Sequence, residues 1–278
     1  MSAKRMVMTG AALAVLALAW GCKKPEAPAH RPAPPPAAGA DATPAAAATP
    51  MSYSSTSPAA VVELKLPAAL AHEPDLHARL YAEAVRDLKA FAEGSANARA
   101  EEVGEDPDSA PAQPYSKSID WSVAADTTKL MSLSSIASEY SGGAHGNAAY
   151  ASLLWDKALK HLIAPTALFA PGADAAMDKA LCDALIAEKK SRLGDNYTPP
   201  GADWNCPKWR DTPFVLTAST TPGKAGGLTF LLAPYLVGAY AEGTYEVTVP
   251  LSAFARYLKP AYADEFAGAP RPQTQASN

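Results

Sequence analysis

The amino-acid sequence predicts an α+β fold, with antiparallel β-sheets and helices packed on one face. Three observations carry that expectation. Short runs such as residues 119–125 and 245–249 alternate apolar with polar side chains, the two-residue period of half-buried strands. Two longer stretches, residues 76–91 and 177–186, repeat their apolar residues at helical spacing instead. Strand-like and helix-like segments come in groups, so no βαβ alternation is expected and the sheets read as antiparallel.

Each element follows from local signals. Residues 61–66 alternate and stop at Pro67, giving a first strand. Asp75 can cap a helix whose apolar stripe includes Leu76, Leu80, Leu88 and Phe91, with Gly94 closing it. Residues 95–114 are polar and read as a loop or frayed helix. Strands are expected at 119–125 and at Leu130–Tyr140, separated by the polar turn 126–129. The run Ser141-Gly142-Gly143-Ala144-His145-Gly146-Asn147 interrupts the pattern, and residues 148–155 resume it. Two strands joined by a glycine-rich turn make a hairpin. Residues 156–169 read as short turns or helical pieces. Asp174 can cap a second helix with Met177, Leu181 and Leu185 inward. Lys189, Lys190 and Arg192 suit the negative end of its dipole, and Gly194 ends it. In the last third, Phe214–Ala218 and residues 228–232 flank a turn at Thr221-Pro222-Gly223. Tyr245, Val247 and Val249 share one strand face, and Pro250 ends that strand. Ser252 can cap a short helix with Phe254, Tyr257 and Leu258 inward.

The amino terminus reads as a targeting segment. Lys4 and Arg5 precede an uncharged, mostly apolar run, residues 6–20, shorter than the roughly 20 residues a membrane-spanning helix needs. The run ends at Gly21-Cys22. Leu18-Ala19-Trp20-Gly21 before Cys22 resembles the bacterial lipobox, whose cysteine receives a diacylglycerol. It departs from that pattern at Ala19, where Leu is usual, and at the bulky Trp20. The alternative is a cleaved signal peptide with an incidental cysteine. The resemblance implies a membrane anchor through Cys22. Lys23, standing where an Asp would signal inner-membrane retention, implies the outer membrane, facing the periplasm. The expected organisation is a signal peptide (1–21), a disordered Ala/Pro-rich tether (22–58), two α+β subdomains (59–155 and 156–266) and a disordered tail (267–278).

Composition narrows the functions available. The net charge of −4 becomes more negative once Lys4 and Arg5 leave with the signal. No basic patch with interleaved aromatics is present, so nucleic acid is not an expected partner. Of the 3 cysteines, Cys182 and Cys206 remain after Cys22. In an oxidising compartment the pair is read as a disulfide, against two free thiols or a metal pair. Neither cysteine has a second Cys or His at zinc-like spacing. His72, His77 and His161 show no metal spacing either. No Gly-x-Ser-x-Gly, phosphate loop or dinucleotide fingerprint occurs. No catalytic residue, metal ligand or cofactor is assigned.

Two segments carry a family resemblance. Tyr140 through Asn147, YSGGAHGN, resembles the Tyr-x-Gly-Gly-Ala-His signature of the PdaC-type amino-terminal domain. Residues 230–250, FLLAPYLVGAYAEGTYEVTVP, are similar to the closing strands of the RsiV-like extracellular domain, Tyr-x-x-Gly-x-Tyr-Ala-x-Gly-x-Tyr-x-Val. The paired domains would cover residues 61–262. The RsiV-like domain binds lysozyme as a sensor, whereas PdaC-type deacetylases keep their catalysis in a separate domain. The paired Asp and His-x-x-x-His of that domain are not found here. Nor is the spanning helix of an anti-sigma factor. The resemblance therefore implies a non-enzymatic envelope lipoprotein that binds a protein or glycan partner, with a lysozyme-like muramidase first among them. The alternative is a peptidoglycan-acting hydrolase or deacetylase that uses His145.

The candidate binding residues are Gly142, Gly143, His145 and Asn147 in the first segment and Tyr235, Tyr240 and Glu242 in the second. For His145 a purely structural role competes: glycines supplying positive φ, with the imidazole hydrogen-bonded inside a tight turn. As a base it would need a positioned carboxylate, for which Asp126 and Glu139 are the candidates. Tyr245 is expected in the core. Trp204 and Trp209, flanking Cys206, are expected either to pack beside the disulfide or to stack on sugar rings.

Overall fold

The structure, a computed structural model, describes residues 49–105, 113–199, 201 and 205–271. The signal run, Cys22, most of the tether and Trp204 lie outside them. The fold is α+β, built on two sheets. The first has six strands in sequence order: β1 (Ser52–Thr56), β2 (Ala60–Lys65), β3 (Tyr115–Asp126), β4 (Leu130–Tyr140), β5 (Asn147–Asp156) and β6 (His161–Ile163). The second has three: β7 (Phe214–Ala218), β8 (Ala225–Leu232) and β9 (Tyr245–Pro250). Among the described residues, helix α1 (Pro74–Glu105) and helix α2 (Asp174–Leu193) are the long helices, and α3 (Pro260–Ala263) is a single turn.

Strand period decides what the first sheet presents on each side. Val62 and Leu64 of β2, Ile119 of β3 and Leu133 of β4 point to α1 and pack on its Leu76, Leu80 and Leu88. The alternate residues face the other way. At one end of that opposite face, Leu130 and Leu154 join a second core with Phe214, Phe230, Tyr245 and Val247 of the three-stranded sheet and Leu181 of α2. Ser132 Oγ accepts a hydrogen bond from the Leu216 amide across this join. The second sheet thus covers one end of the first sheet's outer face. The other end, with Val61 and Ile136, remains exposed. Strand β8 is buried along its whole length, as a central strand covered on both faces must be.

Four expectations differ from the structure. β1 lies inside the stretch read as tether. Its sequence, SYSST, has no apolar alternation, and it is ordered by pairing antiparallel with β2. Strands β2 and β3 are parallel, Ala60 opposite Tyr115, so α1 is the crossover of a βαβ unit and the first sheet is mixed. A parallel pair demands such a long connection. Helix α1 runs through Gly94 to Glu105, because its last turns have tertiary partners: Arg99 lies over the Tyr115 ring at 3.7 Å, and Glu102 accepts from the Tyr115 hydroxyl at 2.6 Å. Those contacts outweigh the roughly 1 kcal/mol a mid-helix glycine costs. Finally, residues up to Arg271 are structured where a disordered tail was expected. The amide of Thr220 donates to the Ala269 carbonyl, and that of Arg271 to the Ala218 carbonyl.

Smaller differences concern helix ends. Neither Asp174 nor Ser252 acts as a cap. Asp174 instead accepts bonds from Trp209 Nε1 and Arg210 Nε, and Ser252 lies in a single 3₁₀ turn, Leu251–Ala253, with Phe254 buried after it. Residues 161–163 form β6 rather than a turn. Cys182 and Cys206 form a disulfide, with Cα atoms 5.5 Å apart, that ties the loop after α2 back onto the helix. Trp209 is buried beside this loop, edge-on to Phe169 at 5.1 Å, so its role is packing.

Candidate functional site

The hairpin turn between β4 and β5 is shaped by backbone needs. Gly142 and Gly143 sit at φ 98° and 88°, in the region where a Cβ is strained. A Cβ on Gly146 would lie 2.9 Å from the Glu139 carbonyl oxygen. The turn therefore folds tightly and carries His145 on its outside. There the Nδ1 atom of His145 lies 3.0 Å from the Gly146 carbonyl, so this nitrogen holds the proton and donates. Nε2 lies 3.5 Å from the Tyr235 hydroxyl.

Tyr235 and Tyr240 arrive from the loop between β8 and β9. The Tyr240 ring stacks on the His145 imidazole with centroids 4.1 Å apart and planes 18° from parallel. Its hydroxyl donates to the Gly146 carbonyl at 3.1 Å. Tyr235 completes the group at 5.3 Å from Tyr240. Tyr235 also adopts φ 70°, uncommon for a residue with a Cβ. It is 61% exposed and Tyr240 37%. Residues from two distant parts of the chain thus form one exposed aromatic cluster.

Glu242 holds the second loop in place. Its carboxylate accepts from Lys189 Nζ at 2.7 Å, from the Tyr245 hydroxyl at 2.6 Å and from the Ala239 amide at 3.1 Å. Lys189 also donates to the Val237 carbonyl at 2.7 Å. The Lys189 ammonium, and after it the Tyr245 hydroxyl, hold the Glu242 carboxyl below its ordinary range. Burial, and then the neighbouring Glu242, push the Tyr245 phenol up to about 12. Glu242 is tied into this network, which holds the loop that carries Tyr240.

A groove of about 390 Å³ opens between this cluster and the exposed face of the first sheet. Tyr240, Gly146 and Asn147 stand at its rim. Its floor includes Val61 and Glu63 of β2, Ser116 and Ser118 of β3 and Ser138 of β4. The two carboxylates considered as partners for His145 lie in other pairs: Asp126 with Lys157 at 2.6 Å and Glu139 with Lys117 at 3.3 Å. Among the described residues, no group of three or more His, Cys, Asp and Glu could hold a metal ion, and no helix is long and apolar enough to cross a membrane. His77 makes a structural contact, Nε2 to the Pro50 carbonyl at 3.0 Å. The serine floor was not singled out from the sequence, and Lys189 was read there only as a cation suited to the end of α2. For the serines a signal existed: Ser116 and Ser118 alternate with Lys117 and Ile119, whose side chains face α1.

The fold and the site define a two-sheet α+β protein with an aromatic-rimmed groove. Two family models divide it. Residues 54–148 match the model described as Deacetylase PdaC, and residues 166–252 match that described as Protein of unknown function (DUF3298). The chain therefore carries a PdaC-type segment followed by a DUF3298 segment. His145 falls in the first segment, and Tyr235, Tyr240 and Glu242 fall in the second, so the site is assembled by both. A crystal structure of a DUF3298 family member from Bacteroides fragilis NCTC 9343 is similar with a TM-score of 0.53 at 19% identity, over 75% of this chain and 88% of that one. That likeness shows the fold. A DUF3298 family protein from Pseudomonas aeruginosa PAO1 aligns at 19% identity with a TM-score of 0.46, over 78% of this chain and 94% of that one. No curated protein sequence matches this chain.

Proposed function

We propose that this chain is a non-enzymatic lipoprotein of the bacterial cell envelope. Cys22 anchors it to the outer membrane, facing the periplasm, and its folded part binds a protein or glycan partner at the exposed cluster of His145, Tyr235 and Tyr240 and the groove beside it, which Tyr240 lines. One observation carries the reading. The two motif segments, some 90 residues apart in sequence, meet in a single exposed aromatic cluster. Exposed tyrosines on a fixed frame are effective anchors for a partner. The imidazole is held by a carbonyl and a phenol, not by a carboxylate that would orient it as a base. That arrangement favours recognition over acid–base chemistry. Lysozyme-like muramidases are the first partner class to test.

The experiment is a calorimetric titration of the full-length chain, purified in detergent, against lysozyme and a periplasmic extract, with a parallel pull-down on purified sacculi. Binding that weakens in Tyr240→Ala is expected. No binding to any muramidase or to sacculi at micromolar concentration overturns the reading. Release of acetate or soluble fragments from sacculi, lost in a folded His145→Ala variant, would replace it with the hydrolase alternative.

A further inference from the structure

We infer that the groove takes an uncharged saccharide chain, with a sugar ring lying against Tyr240 and its hydroxyls meeting the sheet floor. This deepens the proposed binding function and rests on it. Three features of the groove select this chemistry. The first is its wall. Tyr240, held in place by its stack on His145, and Tyr140 line the groove, and each tyrosine offers apolar ring carbon beside a polar hydroxyl. A pyranose ring has a matching C–H face with hydroxyls around its edge.

The second is its floor. Ser116, Ser118 and Ser138 project from neighbouring strands β3 and β4, with Ser118 directly opposite Ser138. Each hydroxyl can donate and accept, as each sugar hydroxyl does. These side chains are short and stand on a rigid sheet, so presenting them to a ligand costs little ordering entropy. A protein partner asks for a different surface. Interface centres are depleted in Ser, and Ser is under-represented among the residues that dominate protein–protein binding. The volume of about 390 Å³ also falls in the range of small-ligand sites, not of the broad face a stable protein interface needs.

The third is charge. Glu63 lies on the floor, and Lys117 is neutralised by Asp87 and Glu139. Lys65, two residues after Glu63 on β2, pairs with Glu63 and Asp120. The groove therefore offers no unpaired cation to an anionic polymer, and a polyphosphate or acidic chain would meet repulsion. A neutral chain is left.

The test uses the full-length chain in detergent, with oligomers of N-acetylglucosamine and of glucose as probes, read by saturation-transfer NMR and calorimetry. One of these oligomers is expected to bind. Tyr240→Ala should weaken it roughly tenfold, the scale of one stacking contact. Ser118→Val keeps a strand-forming side chain but removes the hydroxyl, and should weaken it severalfold. Ser134→Val, on the same face but bonded to Ser122, should leave it unchanged. Circular dichroism and thermal melts confirm that each variant is folded. If no oligomer binds while lysozyme or another protein does, the saccharide inference falls and the proposed binding function stands. Saccharide binding that survives both Tyr240→Ala and Ser118→Val places the sugar elsewhere and also overturns the inference. If neither saccharide nor protein nor sacculi bind, both fall.

Discussion

Replacing Glu242 with Gln tests whether the second loop is held by a single ionic latch. The substitution keeps the side chain's shape but removes its charge. It weakens the bonds from Lys189 Nζ at 2.7 Å and the Tyr245 hydroxyl at 2.6 Å, and leaves the ammonium with the Val237 carbonyl and the face of the Tyr245 ring. Hydrogen bonds to charged groups contribute about 1.5–3 kcal/mol each. The Lys189 and Glu242 side chains keep 12% and 21% exposure, so solvent screening trims the pair to roughly 2 kcal/mol in total. For a folded part of this size that lowers Tm by about 4–8 °C. Lys189→Met should cost a similar amount, and the double variant little more than either single one, because both remove the same interaction. The cost should also depend on pH. A carboxyl held below its ordinary value of 4.5 stabilises the fold above that pH, and the contribution is lost as pH falls through the depressed value. The gap between wild type and Glu242→Gln should therefore narrow below about pH 4.5. Urea and thermal melts from pH 3 to 8 measure it. Additive single and double variants, or a total loss under about 0.5 kcal/mol, would refute the latch.

The remaining predictions concern the disulfide, the core, the hairpin turn and the anchor. The double variant Cys182→Ser, Cys206→Ser opens a loop spanning 24 residues and should cost about 3 kcal/mol on the chain-entropy model, read as a Tm drop in non-reducing melts. Phe230→Ala, in the centre of the second core and fully buried, should cost about 3–5 kcal/mol in urea unfolding. Gly146→Ala brings a Cβ to 2.9 Å from the Glu139 carbonyl oxygen. It should lower Tm and shift the His145 ring resonances as the stack with Tyr240 opens. Cys22→Ala should move the chain from the membrane pellet to the soluble fraction on cell fractionation. If the variant stays in the pellet, the anchor is elsewhere.

Much of the architecture was legible because its signals are local. The alternation in residues 119–125 and in Tyr245, Val247 and Val249 marked β3 and β9, and the helical spacing of Met177, Leu181 and Leu185 marked α2. The pairing of Cys182 with Cys206 follows from a count of two remaining cysteines. Where local signals were weak, they misled. β1 has no apolar period, and its order comes from bonding to β2. The last turns of α1 look like loop until Tyr115 meets Arg99 and Glu102.

The site divides along the same line. The sequence by itself determined that two unusual segments exist, that glycines shape one of them and that tyrosines punctuate the other. It could not determine that they touch. Side-chain periodicity reports which way a residue faces within its own strand or helix, whereas contact across 90 or more positions depends on how two sheets pack. Only the tertiary structure decided that Tyr240 lies flat on His145, that Glu242 is spent on Lys189 and Tyr245, and that serines of β3 and β4 become the floor beneath them. The physical reason is that burial of the second core sets the position of the three-stranded sheet on the first, and the loop carrying Tyr235 and Tyr240 goes where that sheet takes it.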